Sequence, residues 1–271
     1  MVRYVASTGA ECVLDGPGAT RCTRGHAMDW TYAIKELNGH VAYTLLEPVE
    51  FSLDVAIFGE GADAELDRLA DVIATDASTS SFGKLYVDEW YRVCVPFAIE
   101  HKFFEDDNAF GVTVSFRADD PAWIRTEEQE LISAPSDGLD FPHDYPHDLG
   151  VPAQTNSVRN RSSVACPVRI RVTGPATGWS VRIGTNVYRC AITLVSGEMA
   201  TVDGSAETIT ITRADGTVED AFYTWQGTFK EGSGSYIFEP VPPGESPVSW
   251  EGCSGVAVTI YERRPELRWS A

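Results

Sequence analysis

Residues 140–150, DFPHDYPHDLG, constrain the architecture more than any other stretch, because they repeat an aromatic-Pro-His-Asp unit near the middle of the chain. Phe141-Pro142 and Tyr145-Pro146 cannot continue a helix, and each proline biases the residue before it toward extended backbone. Such a stretch reads as a stiff connector. It predicts a domain over residues 1–138, a linker over 139–151 and a second domain over 152–271. Phe141, Pro142, Tyr145 and Pro146 are the linker residues, with both rings expected to pack against the flanking domains. The charge changes here too. Through Gly150 there are 28 acidic and 10 basic residues, a net of -18, whereas the remaining 12 acidic and 11 basic residues leave -1. This asymmetry suggests two modules with different surroundings.

Of the 271 residues 43% are hydrophobic and 23% charged, which places the chain among soluble globular proteins of ordinary two-domain length. The opening MVRYVASTGA has no apolar run of signal-peptide type, and no run of about 18 apolar residues could cross a bilayer. Synthesis in a cytoplasm is therefore expected, with no membrane partner. The six cysteines form no C-x-x-C pair and are expected as reduced thiols, several buried as small hydrophobes. A net charge of -19 argues against gripping a phosphate backbone, which needs a basic stripe.

Most of the chain reads as strand. In the first half these are residues 42–58 (broken near Pro48), 84–99 and 109–118, the last two alternating apolar with polar. Between the first two lies a helix from Ala62 to about Asp76, with Leu66, Leu69, Ala70 and Ile73 on one face and Asp63 as its expected cap. One helix over a mostly antiparallel sheet is an α+β module, in sheet or split-barrel form. The second half offers short β-type runs at 168–172, 180–183, 187–194, 208–212, 218–225, 236–238 and 256–261. Asp215-Gly216 is a hairpin signal for a tight mirror-type turn. Seven or eight strands without a helix predict a β-sandwich or jelly roll, so the fold class is mainly β.

Motifs that would carry chemistry are weak. Gly59-Glu60-Gly61-Ala62-Asp63-Ala64 matches a dinucleotide fingerprint where strand meets helix, yet Glu60, Asp63 and Glu65 would surround the anion position and repel a pyrophosphate. His143, Asp144, His147 and Asp148 are metal-type side chains. In extended backbone, however, residues four apart are separated by about 13 Å, too far for one ion unless a turn intervenes. No nucleophile motif stands out, and close carboxylate pairs carry no information among 40 acidic residues. No cofactor and no catalysis are expected. Tryptophans in the second half could stack on sugar rings. Trp179 and Trp250 are the candidate platforms, whereas Trp225 lies in an alternating run where burial is expected.

Several elements occur in a fixed order: a helix-bearing β module, FPHDYPHDLG, VRIRVTGPATGWSVRI with Gly174-Pro175, LVSGEMATVD with Gly197-Glu198, and a terminal AVTIYER. Together they resemble the distal tail protein family of long-tailed siphophages over essentially the whole chain. One departure is Gly178-Trp179, where the family pattern has Asn-Pro. The resemblance implies a virion protein at the tail tip, a homohexameric ring joining the tail tube protein to the baseplate hub or tail-associated protein. The first domain would form the ring, a galectin-like second domain would face outward, and a receptor-binding protein is a possible further partner. DNA would be passing cargo that an acidic channel wall does not retain. The alternative reading is a carbohydrate-binding adhesion module.

Overall fold

The computed structural model describes residues 1–102, 109–132 and 156–267. The chain divides into two compact units, the first comprising Met1–Arg125 with Arg263–Ala271 and the second Thr126–Glu262. The return of the last nine residues to the first unit is a feature that the linear division did not include. The expected linker, with Phe141, Pro142, Tyr145 and Pro146, lies outside the described residues, as do His143, Asp144, His147 and Asp148.

The strands of the first unit are β1 (Val2–Val5), β2 (Glu11–Asp15), β3 (Thr20–Gly25), β4 (Tyr32–Leu37), β5 (His40–Leu46), β6 (Val49–Phe58), β7 (Gly83–Val87), β8 (Trp90–Lys102) and β9 (Ala109–Ala118), with helix α1 (Ala62–Thr79) between β6 and β7. β10 (Trp123–Ile132) starts here and carries on into the second unit. Seven strands pair antiparallel in the order β2-β1-β7-β8-β9-β6-β3. The first and last of these, β2 and β3, are consecutive in sequence but share no ladder. This leaves a seam in an otherwise barrel-like sheet, the split form expected.

Period-two burial drives the pattern. Phe51, Leu53, Val55 and Ile57 of β6 point inward, as do Val112, Val114 and Phe116 of β9. The run 84–99, read as one strand, is two, because Asp88 takes φ 54 and the chain reverses into a β7–β8 hairpin. β8 then changes partner from β7 to β9 after Cys94, and a register shift between Pro96 and Ala98 leaves Phe97 pointing out.

Helix α1 buries Ala62, Leu69, Val72 and Ile73 against this core. Its N-cap is Gly61 (φ 88) with no side-chain cap, not Asp63, which sits inside the first turn where a carboxylate still complements the helix dipole. Buried Asp76 accepts hydrogen bonds from the Tyr4 hydroxyl (2.6 Å), the Ser7 amide (3.0 and 3.1 Å) and the Ser7 hydroxyl, tying β1 to the last turns of the helix. β6 pairs antiparallel with both its neighbours. The glycine fingerprint at 59–64 is therefore a strand–turn–helix without the parallel crossover that dinucleotide binding uses.

The second unit holds β11 (Ser157–Asn160), β12 (Val168–Thr173), β13 (Ala176–Thr177), β14 (Ser180–Ile183), β15 (Asn186–Arg189), β16 (Thr193–Leu194), β17 (Met199–Asp203), β18 (Thr208–Thr212), β19 (Val218–Asp220), β20 (Gly244–Glu251) and most of β21 (Gly255–Arg264). One layer runs β19-β18-β17-β12-β21 and the other β11-β20-β14-β15, with β13 and β16 paired separately. All these pairs are antiparallel. Their inward faces meet in one core that includes Val168, Ile170, Val202, Ile209, Val181 and Val258. This is a β-sandwich.

Four expectations need correction. The run 187–194 is two strands, β15 and β16, which pair with different partners, β14 and β13. The run 218–225 stops at Asp220, whose Oδ1 accepts the Phe222 amide at 2.9 Å and starts a 3-10 turn over Phe222–Thr224. Residues 236–238 are not a strand, because their neighbourhood's carbonyls go to side chains: Asn186 Nδ2 donates to Tyr236 O and the Tyr188 hydroxyl to Glu239 O. The Asp215-Gly216 hairpin joins β18 to β19 as expected, but only Gly216 has positive φ (87°). Arg213 and Thr217 close a wider loop in place of a two-residue mirror turn.

Candidate assembly surfaces

Two features of the first unit stand out, an uncovered hairpin and the open seam. Among the described residues β4 and β5 pair only with each other, in a two-stranded sheet apart from the barrel. Asn38 (φ 54) and Gly39 (φ 77) make the turn, the backbone that Asn-Gly supplies at least steric cost. Pairing of Tyr32 with Leu46, Ile34 with Thr44 and Glu36 with Val41 puts Tyr32, Ile34 and Val41 on one face. Pairing of Ala33 with Leu45, Lys35 with Tyr43 and Leu37 with His40 puts Leu45, Tyr43 and Leu37 on the other. Each face also carries polar groups, Glu36 and Thr44 on the first and Lys35 and His40 on the second. The exposures are 38% for Tyr32, 61% for Ile34, 67% for Leu37, 61% for Val41, 60% for Tyr43 and 56% for Leu45.

The arm's root is anchored. Glu47 N–H donates to Thr31 O, Trp30 stacks edge-on to Tyr32 at 5.3 Å, and Arg92 Nη1 donates to Ala27 O just upstream. Arg92 is fully buried, lies 4.4 Å from the Trp123 ring, and has no hydrogen-bond partner for Nε or Nη2 among the described residues. Burial lowers its pKa to about 10, so it remains a cation at neutral pH.

The seam between β2 and β3 is bridged by Gly16 N–H to Thr20 O (3.4 Å) and Cys22 N–H to Asp15 Oδ1 (3.4 Å). It opens as a cleft of about 240 Å3 whose walls include Val2, Cys22, Ala27, Met28, Leu53 and Val87. A smaller pocket of about 140 Å3 in the second unit brings Glu127, Glu128 and Glu262 beside Arg159 and Arg161. Arg161 meets Glu127 there at 2.9 Å, and Glu128 pairs with Arg171.

The residues singled out for sugar stacking fall elsewhere than a platform. Trp179 is buried at 0% exposure in the sandwich core, so neither ring face is open to a ligand, and Trp250 is half-buried against the same core. Trp225 follows the 3-10 turn and packs edge-on to Phe229 at 4.4 Å. Among the described residues no group of three or more His, Cys, Asp or Glu side chains is placed to hold a metal. Burial raises the Cys12, Cys94 and Cys190 thiols to about 12, which removes them as nucleophiles. The strand read over 42–58 takes in most of β5 but β4 was missed, although Asn38-Gly39 is a hairpin signal.

No protein-family model matches the sequence. No curated protein matches it either. Solved structures do. The Dit protein of phage SPP1, described as a paradigm of the hub adsorption apparatus in phages infecting Gram-positive bacteria, is 11% identical with a TM-score of 0.56, covering 97% of this chain and 98% of that one. A chain of the phage P2 baseplate in its activated conformation with Ca is 10% identical with a TM-score of 0.61, covering 98% of both chains. The form with Sr is 11% identical with a TM-score of 0.60 and the same coverage. The chain therefore shares its fold, from end to end, with phage baseplate and hub proteins.

Proposed function

We propose that this chain is a structural protein of a long-tailed phage tail tip, forming a hexameric ring that joins the tail tube to the baseplate hub. The observation that carries the reading is the span of the fold match, 97–98% of this chain, which takes in both its split barrel and its sandwich, and 98% of the other chains. A shared common module would cover one unit only. The motif order FPHDYPHDLG, Gly174-Pro175 and Gly197-Glu198 supports it independently. The tail tube protein on one side and a hub or tail-associated protein on the other are its partners, its location is the virion tail tip, and its role is assembly without turnover.

DNA passes through such a ring without being held. A chain of net charge -19 presents six copies of that repulsion to a duplex. Mass measurement with negative-stain imaging tests the reading: six-fold rings at six times the chain mass are expected, and monomers at every concentration would overturn it. For the DNA component, duplex should migrate unretarded with the protein in low-salt gels. A shifted band would refute that part alone.

A further inference from the structure

Residues 222–236, FYTWQGTFKEGSGSY, give the second unit a surface whose composition differs from the rest of the chain. Five of these 15 residues are aromatic, against 11% overall, and none is aliphatic; the others are Gly, Ser, Thr and Gln with one Lys and one Glu. Tyr223 at 84% and Phe229 at 77% are the most exposed large apolar side chains among the described residues. Phe229 stands edge-on to half-buried Trp225. The backbone beneath these rings is fixed. Gln226 N–H donates to Arg189 O, Ala191 N–H to Thr224 O and Val187 N–H to Gly234 O, which lays the loop along β15. The Glu239 carboxylate accepts the Gly232 N–H at 2.8 and 3.1 Å, and a Cβ on Gly227 would run into Ser235 O, so the two ends of the loop touch. Rings held on such a loop are ordered before a ligand arrives, and stacking on them costs little conformational entropy.

We propose that this loop is a binding site for a neutral glycan, whose pyranose C–H faces stack on Tyr223 and Phe229 while its hydroxyl groups bond the exposed side chains of Gln226, Thr228 and Ser233. The site is complete in one copy, so the proposal stands apart from the ring reading. Exposed rings alone fit either a sugar or a protein, and the residues among them decide. Protein interfaces gather Met and Arg beside their aromatics and are poor in Ser, Lys and Glu. This loop has the opposite set, with no Met or Arg and with Ser233, Ser235, Lys230 and Glu231. A sugar hydroxyl both donates and accepts, as the hydroxyl and amide side chains here do together, so the two sides match without charge. The charges point the same way. Lys230 and Glu231 cancel, and Glu219, Asp220 and Glu239, next to the loop in sequence, make its flanks acidic, which repels polymers bearing phosphate or carboxylate.

The test presents the full chain to an array of neutral gluco-, galacto- and manno-oligosaccharides and titrates the hits by calorimetry. At least one should bind. Tyr223→Ala and Phe229→Ala should each weaken that binding about 10-fold, the loss of one stacked ring. Their thermal melts should match wild type, because neither side chain is buried. Val218→Ser, exposed on β19 outside the loop, should bind as wild type does. No binding of any neutral oligosaccharide at about 10 mM, or binding that both alanine variants keep, would overturn the proposal. Preference for a polyol phosphate over every neutral sugar would overturn it as well. So would a protein ligand captured through Tyr223 and Phe229 by a chain that binds no sugar, and the loop would then be a protein-docking surface.

Discussion

Asp76→Ala should destabilise the first unit by about 3 kcal/mol. Asp76 is fully buried, and no ion pair with it is seen among the described residues, so its stabilisation comes from the hydrogen bonds it accepts from Tyr4 and Ser7. Truncation affects those donors unequally. Ser7 is exposed and rehydrates, whereas the hydroxyl of Tyr4, itself at 0% exposure, is stranded at about 1–3 kcal/mol. Loss of the carboxylate's charge-assisted bonds adds about 1.5 kcal/mol, partly offset by relief of its desolvation. Burial, and then the bond to Asp76, raises the Tyr4 phenol above its ordinary range, so Tyr4 stays the donor wherever the fold survives. Tyr4→Phe should cost about 1.5 kcal/mol, and the double variant should fall short of the sum by about 1 kcal/mol, the coupling expected of direct partners. At about 3 °C per kcal/mol for a unit of this size, calorimetry should read a drop near 9 °C for Asp76→Ala. A drop under about 2 °C, or strict additivity, would mean that this network does not join the N-terminal strand to the helix.

Other outcomes follow from the second unit and the thiols. Trp179→Ala should destabilise the sandwich by about 3–5 kcal/mol, read by denaturant unfolding, because a large buried ring leaves a cavity; an unchanged midpoint would refute core packing. Asp203 is opposed by burial, yet bonds from Tyr261 (2.7 Å) and Arg169 (2.8 Å) hold its pKa below the usual range. A depressed folded pKa contributes stability above the unfolded value and loses it as pH falls through the folded one. The gap between wild type and Asp203→Asn should thus be full above about pH 4 and shrink at lower pH in thermal melts. Native alkylation at pH 8 should label Cys22 and Cys253 and spare Cys12, Cys94 and Cys190, as peptide mass spectrometry would reveal.

Elements dominated by local patterning could be read from the sequence, and those set by distant partners could not. β9 and β18 fall where alternation put them, since one buried face per strand leaves one register. α1 was found from its apolar face, but three residues of its C-terminal end and its Gly61 cap were not. β20, GESPVSWE, holds a proline and a glycine and reads as loop. It is a strand because β11 and β14 pair with it from both sides. Of the arm, only β5 falls in a run read as strand; β4, YAIKEL, sets Lys35 beside Glu36 and shows no clean alternation of apolar with polar residues.

Where the boundary is drawn decides which half carries the acidic charge. Residues 126–150 hold seven acidic and no basic side chains, and drawing the line at Gly150 assigns them all to the first half. With the compact units as they stand, the first holds 22 acidic and 13 basic residues, net -9, and the second 18 and 8, net -10. Both units repel their copies to a similar degree, so electrostatics selects neither as the ring former. What distinguishes the first unit is the β4–β5 hairpin, with Ile34, Leu37, Val41, Tyr43 and Leu45 exposed. Assembly through such a contact should strengthen with salt, since added ions shorten the Debye length from about 30 Å at 0.01 M to about 8 Å at 0.15 M while leaving apolar burial intact. Rings that dissociate as salt rises would instead require ion pairs between copies, and the arm would not be their main contact.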